Sequence, residues 1–194
     1  MKKKFGFLLA LPFALLACNN EGKDSVEKAD STNNAKMDSS TANNPAQTIS
    51  TDAESTSFMT KAADAGMAEV QMGEMAQQKA VNAKVKDFAT MMIHDHSAVN
   101  DQVKALAAQR NVTLPDSVSD DHKKKMNDLM KKTGKDFDKA YVSAMVDGHK
   151  KVLDMFQDAS KNVKDTEVKT LIDNTIPKIQ MHLDSIQAIQ KLIK

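Results

Sequence analysis

Four side chains in this sequence combine reactive chemistry with telling spacing: Glu69, His96, His149 and His182. Each interrupts an apolar stripe whose members recur three or four residues apart, the pattern of a helix face turned toward a core. The stripes run Phe58, Ala62, Ala65, Glu69, Met72, Ala76, then Val85, Ala89, Met92, His96, Val99, Val103, Leu106. The third is Phe137, Tyr141, Met145, His149, Val152, Phe156, and the fourth Val168, Ile172, Thr175, Ile179, His182, Ile186, Ile189, Ile193. Neutral imidazole and carboxylate are ligands for Zn, Cu, Fe, Mn or Ni, and three histidines with one glutamate complete a four-coordinate shell. The same four groups can instead hydrogen-bond to one another with no ion. A buried polar group left unpaired costs about 1–3 kcal/mol, so they must at least satisfy each other. Asp95, beside His96, is a candidate to orient an imidazole, or else a plain surface carboxylate.

The elements that must position these residues follow from the stripes. They predict four long helices, with a loop at Asn111 to Val118 broken by Leu114-Pro115. A shorter helix follows from about Ser119 to Lys132, closed by Gly134. The expected architecture is an all-α, up-down-up-down four-helix bundle with one extra short helix. Counted from helix ends in that topology, all four polar residues lie roughly 18–21 Å deep, in one layer. Gly66, Gly73 and Gly148 fall inside the helices near that layer, where close backbone approach or ordinary tight packing explains them. Pro177 predicts a kink before His182. Met72 and Met92 lie about one turn from the layer and suit either a soft ion or gap-filling in the core. His94 and His122 fall off the stripes and are expected to be solvated.

Composition supports helices and narrows the function. The 194 residues include four prolines, six glycines and no tryptophan, unlike a turn-rich β-sandwich. Basic and acidic side chains nearly balance at 27 and 26, giving no field to gather nucleic acid. The lone cysteine excludes a disulfide framework and a thiolate cluster. No nucleophile–base pair or phosphate loop is visible, so an enzyme is disfavoured.

That cysteine has a different reading. Residues 1–17 carry Lys2, Lys3 and Lys4, an apolar run from Phe5 to Leu16, and Leu15-Leu16-Ala17 ahead of Cys18. This resembles a bacterial lipoprotein signal, with Cys18 lipidated to anchor the chain in a membrane. Residues 18–57 are rich in Asn, Ser, Thr, Ala and Asp and read as a flexible, disordered linker, leaving 58–194 as the bundle domain.

Several short motifs look familiar in combination. Phe58-Met59, Ala62-Ala63, Gly66 and Glu69-Val70 open the domain; Phe88-Ala89, Met92, Asp95-His96, Leu114-Pro115, Phe137-Asp138, Tyr141, Met145, His149 and His182-Leu183 follow. Together they resemble domain of unknown function 4142, a family of bacterial envelope proteins often labelled predicted outer-membrane proteins and placed in the ferritin-like superfamily. The resemblance implies a ferritin-like bundle and supports the polar layer as a family feature, and it supplies no established activity; with the anchor read from Cys18, the expected place is the cell envelope, at the outer membrane facing periplasm or surface. Di-iron members of that superfamily use a glutamate from each of two helices and Glu-x-x-His from the other two. Here Met72 stands three residues after Glu69, and Glu-x-x-His does not occur. One transition-metal ion, not a di-iron centre, is the expected cofactor. The competing reading is a non-enzymatic structural or interaction module whose polar layer only sets helix register.

Overall fold

The computed structural model describes residues 22–38 and 49–193; Cys18 and the signal segment lie outside the described residues. Among the described residues there are six helices: α1 Ser25–Asp38, α2 Ala53–Lys79, α3 Ala83–Gln109, α4 Asp120–Met130, α5 Gly134–Asn162 and α6 Thr166–Leu192. The four long ones carry the four stripes, and α4 is the short extra helix. Side-chain oxygens of Asp52, Asn82, Ser119 and Asp165 accept backbone N–H groups of the first turns of α2, α3, α4 and α6. Among the described residues no helix is long and apolar enough to cross a membrane.

The all-α bundle matches expectation, but its helix directions do not. Three-residue links join α2 to α3 and α5 to α6 as antiparallel hairpins. Asp138, in the first turns of α5, accepts the backbone N–H groups of Val81 and Asn82 at 3.1 and 2.9 Å. So α5 begins where α2 ends. At the other end, Asp52 accepts the N–H groups of Lys164 and Asp165 at 3.3 and 3.1 Å. The order is therefore up-down-down-up, which corrects the expected up-down-up-down. A helix of α3's length is roughly 40 Å long, so the chain must travel back along the bundle before α5 can start. The loop after α3 and then α4 make that crossover, with α4 packed on α2 and α5. One long crossover is the connection found in ferritin-like bundles.

Residues 22–38 differ from the expected disordered linker. Helix α1 packs on α2 although Ala29 is its one buried apolar side chain. Hydrogen bonds hold it instead. The Asn33 carboxamide donates to Thr113 O at 2.9 Å and accepts Thr113 N–H at 2.8 Å, and the Lys36 ammonium donates to Asn111 O at 2.8 Å. Composition cannot reveal such docking, because the partner is loop backbone rather than an apolar stripe. Asn33→Ala is expected to cut hydrogen-exchange protection across α1 by on the order of tenfold, from one or two lost hydrogen bonds, with little change in bundle melting.

Two of the three helical glycines are steric necessities. A Cβ on Gly66 would overlap the Asn100 carboxamide, and one on Gly73 would lie 2.9 Å from Ile93 Cγ1 and 3.3 Å from Ala89 O. Gly66→Ala is expected to destabilise the bundle by about 1–3 kcal/mol by overpacking, read as a fall in denaturation midpoint. A Cβ on Gly148 would meet nothing within 4 Å, so packing does not require that glycine. Pro177 lies inside α6, which continues unbroken to Leu192.

Candidate metal centre

The reversed direction of α5 and α6 leaves the polar layer intact. Glu69 is 16 residues into α2 and His182 is 16 into α6, while His96 and His149 lie 13 before the ends of α3 and α5. All four therefore sit near mid-height, where reversing a helix shifts a residue by only about one turn. They are at most 6% exposed, and His149 is fully buried.

The three imidazoles converge. One ring nitrogen from each of His96, His149 and His182 lies within 4.8 Å of the others, and the ring centroids are 5.2–5.7 Å apart. Each ring is held through one nitrogen by a neighbouring acceptor. His96 Nδ1 is 2.8 Å from Glu69 Oε2, His149 Nδ1–H donates to Met145 O at 2.9 Å, and His182 Nε2–H donates to Asp95 Oδ2 at 2.9 Å. Asp95 thus orients His182 on α6 rather than its sequence neighbour His96. The nitrogens left over are His96 Nε2, His149 Nε2 and His182 Nδ1, of which the first and last are 3.3 Å apart. Imidazoles whose other nitrogen is tied to a carboxylate or carbonyl are the arrangement that metal-binding histidines adopt.

Charge in the layer is uneven. Burial would raise the Glu69 carboxyl, but the imidazoles, His96 foremost, outweigh it and hold the pKa down at about 2. Burial opposes a charge on His96 too, and the Glu69 carboxylate overcomes it, raising the pKa. For His149 and His182, burial prevails and favours the neutral ring, with the charge of His96 adding to the effect.

Three buried side-chain atoms among the described residues lack a hydrogen-bond partner: Glu69 Oε1, His149 Nε2 and Tyr141 Oη. The first two belong to the layer; Tyr141 lies two turns before His149 on α5, where burial, with the Glu69 charge adding, pushes its hydroxyl pKa up. With its Nδ1 proton donated to Met145, neutral His149 presents a bare lone pair at Nε2. Glu69 Oε1 is also an acceptor. Two buried acceptors without donors fit a cation, so the residues present suit a metal ion.

Two sequence expectations need amending. His122 is half-buried and paired rather than simply solvated: its Nδ1 lies 3.0 Å from Asp64 Oδ2, and Asp64 Oδ1 accepts Ser119 N–H at 2.7 Å. No periodic signal marks this pair, because Asp64 lies off the apolar stripe of α2. Tyr141 reads as a core aromatic in sequence, and its ring is core, stacked on Phe137, yet its buried hydroxyl has no hydrogen-bond partner. His94 is exposed as expected, and Met72 and Met92 are core residues.

Comparison with solved structures finds the same fold in CopM. Its Cu(II)-bound form aligns with a TM-score of 0.63 at 19% identity, covering 72% of this chain and 97% of that one. Its Cu(I)-bound form aligns at 0.61 and 20%, covering 71% and 95%. Its Ag-bound form, from co-crystallization, aligns at 0.60 and 20%, again covering 71% and 95%. At such identity the likeness establishes the fold alone. Curated proteins give no match. Residues 38–189 match the family described as domain of unknown function (DUF4142), and the chain belongs to that family.

Proposed function

We propose that this chain is a non-enzymatic metal-binding protein of the bacterial envelope, anchored through a lipidated Cys18, that holds one transition-metal ion in its core. His96 Nε2, His149 Nε2 and His182 Nδ1 are the ligating nitrogens. Glu69 orients His96 through Oε2 and keeps Oε1 as a fourth donor, balancing part of the ion's charge.

The observation that carries this reading is the pair of buried acceptors, Glu69 Oε1 and His149 Nε2, that no described residue hydrogen-bonds; His149 Nδ1 comes to 3.7 Å of Oε1, but its proton goes to Met145 O. Imidazole-rich sites suit Cu, Zn, Fe and Ni, with the choice set by geometry and supply. Copper is the first ion to test, because CopM, which shares the fold, has copper- and silver-bound forms. Bound copper supplies a Lewis-acidic, redox-active centre. The chain's own part is to fix three rings and exclude water around them.

A second reading has its own support. Glu69, His96, His182 and Asp95 form a continuous chain of contacts at 2.8, 3.3 and 2.9 Å that needs no ion. As such it would be a network that sets helix register. Titration of the full-length chain with Cu and Zn separates the two. One equivalent bound tighter than about micromolar, lost in His182→Ala, is expected for the metal site; no tight equivalent would leave the network.

A further inference from the structure

Alongside the buried layer lies a cavity of about 490 Å³ between α2, α4 and α5. Its lining includes Glu69, Met72, Met145 and Gly148, with Asp64 and His122 on the α4 side. We propose that this cavity is the port through which the ion reaches the core, and that His122 is the first imidazole it meets. The inference rests on the metal reading and adds the route and its receiving ligand.

Three independent features point to it. Glu69, 5% exposed and with Oε1 making no hydrogen bond, is among the residues lining the cavity, so the carboxylate residue of the core site borders this space. His122 is tied through Nδ1 to the buried Asp64 carboxylate, which is itself fixed by Ser119 N–H, leaving Nε2 of a half-buried ring as a free ligating nitrogen. Gly148 stands mid-helix on the cavity wall, one residue before His149, where glycine costs about 1 kcal/mol against alanine. Unlike Gly66 and Gly73 it has no crowding neighbour, and a larger side chain there would extend into the open space. Keeping the passage clear accounts for it.

Charge along the route is graded. Lys61, Lys125 and Lys151 also line the cavity, but they are exposed, flexible and screened by salt, whereas the buried charges Asp64 and Glu69 are both negative. The ion thus passes from a solvated rim to a carboxylate-held imidazole and then to the carboxylate and rings of the core.

Loading kinetics test the port. Tyr141 is the chain's single tyrosine and there is no tryptophan, so quenching of its fluorescence by Cu(II) reports arrival at the core. In stopped flow on the full-length chain, Gly148→Leu is expected to slow quenching by on the order of tenfold, and His122→Ala by several-fold. Both should still reach one equivalent, with helix content unchanged. Wild-type loading rates in both variants would overturn the port while leaving the core site standing. If Gly148→Leu fails to fold, His122→Ala decides alone, a wild-type rate overturning the proposal. Failure of the wild-type chain to bind Cu(II) would overturn the core site and the port together.

Discussion

His149→Ala is expected to weaken copper binding by at least about a hundredfold while the bundle stays folded, because one of three ligating rings is lost. His149 is the most informative of the three. It is fully buried on α5, its ring is pinned by Met145 O, and its remaining nitrogen has no protein partner. The contact chain from Glu69 through His96 and His182 to Asp95 does not pass through His149, whose link to it is the longer approach of Nδ1 to Glu69 Oε1 at 3.7 Å. Under the network reading its removal changes stability alone, through lost packing and the lost approach to Glu69. Under the metal reading affinity collapses as well. Calorimetric titration beside a thermal melt of the same variant reads both quantities, and unchanged affinity would count against His149 as a ligand.

Arg110→Ala is expected to be the most destabilising single change at the bundle ends, by about 2–3 kcal/mol from charged hydrogen bonds broken in a buried setting. For a domain of this size that corresponds to a fall in Tm of roughly 5–10 °C. The guanidinium, which closes α3, donates through Nε and an Nη to both oxygens of Asp165 at 2.6 and 2.8 Å, and to Glu167 at 2.7 Å. Asp165 also caps α6 and accepts the Thr51 hydroxyl, so one residue ties together α3, α6 and the approach to α2. The Arg110 hydrogen bonds hold the Asp165 carboxyl well below the usual carboxylate range, against the opposing effect of burial. A depressed carboxyl stabilises the fold fully above its unfolded pKa near 4 and loses that contribution as pH falls through the folded value. The gap between wild type and Arg110→Ala should therefore be widest near neutral pH and shrink below about pH 4. Denaturation midpoints across that range check it, and a gap independent of pH would show that the ion pair is not its cause.

Much of this arrangement is legible in the sequence because helical periodicity is strict. A histidine that takes a core position, as His96, His149 and His182 do, stands out against the five or six apolar residues that share its stripe. Helix direction is less legible. The stripes are the same whichever way α5 runs, and the signal that would decide it, Asp138 beneath the α2–α3 turn, is a contact across 56 residues. The layer survives that error only because its members sit near mid-helix. Helix α1 is illegible for a different reason. Asn33 and Lys36 recognise loop backbone, and composition sees only a polar segment. Which acid partners which histidine also depends on three dimensions, as shown by Asp95 serving His182 and Asp64 serving His122.

The central claim is that three imidazoles from three helices hold one ion. X-ray absorption on the full-length chain loaded with one equivalent of copper tests it most directly. The expected spectrum shows first-shell nitrogen or oxygen near about 2.0 Å with the outer-shell scattering of three imidazole rings. A sulfur-dominated shell, fewer than two imidazoles, or copper removed by a mild chelator before measurement would contradict it.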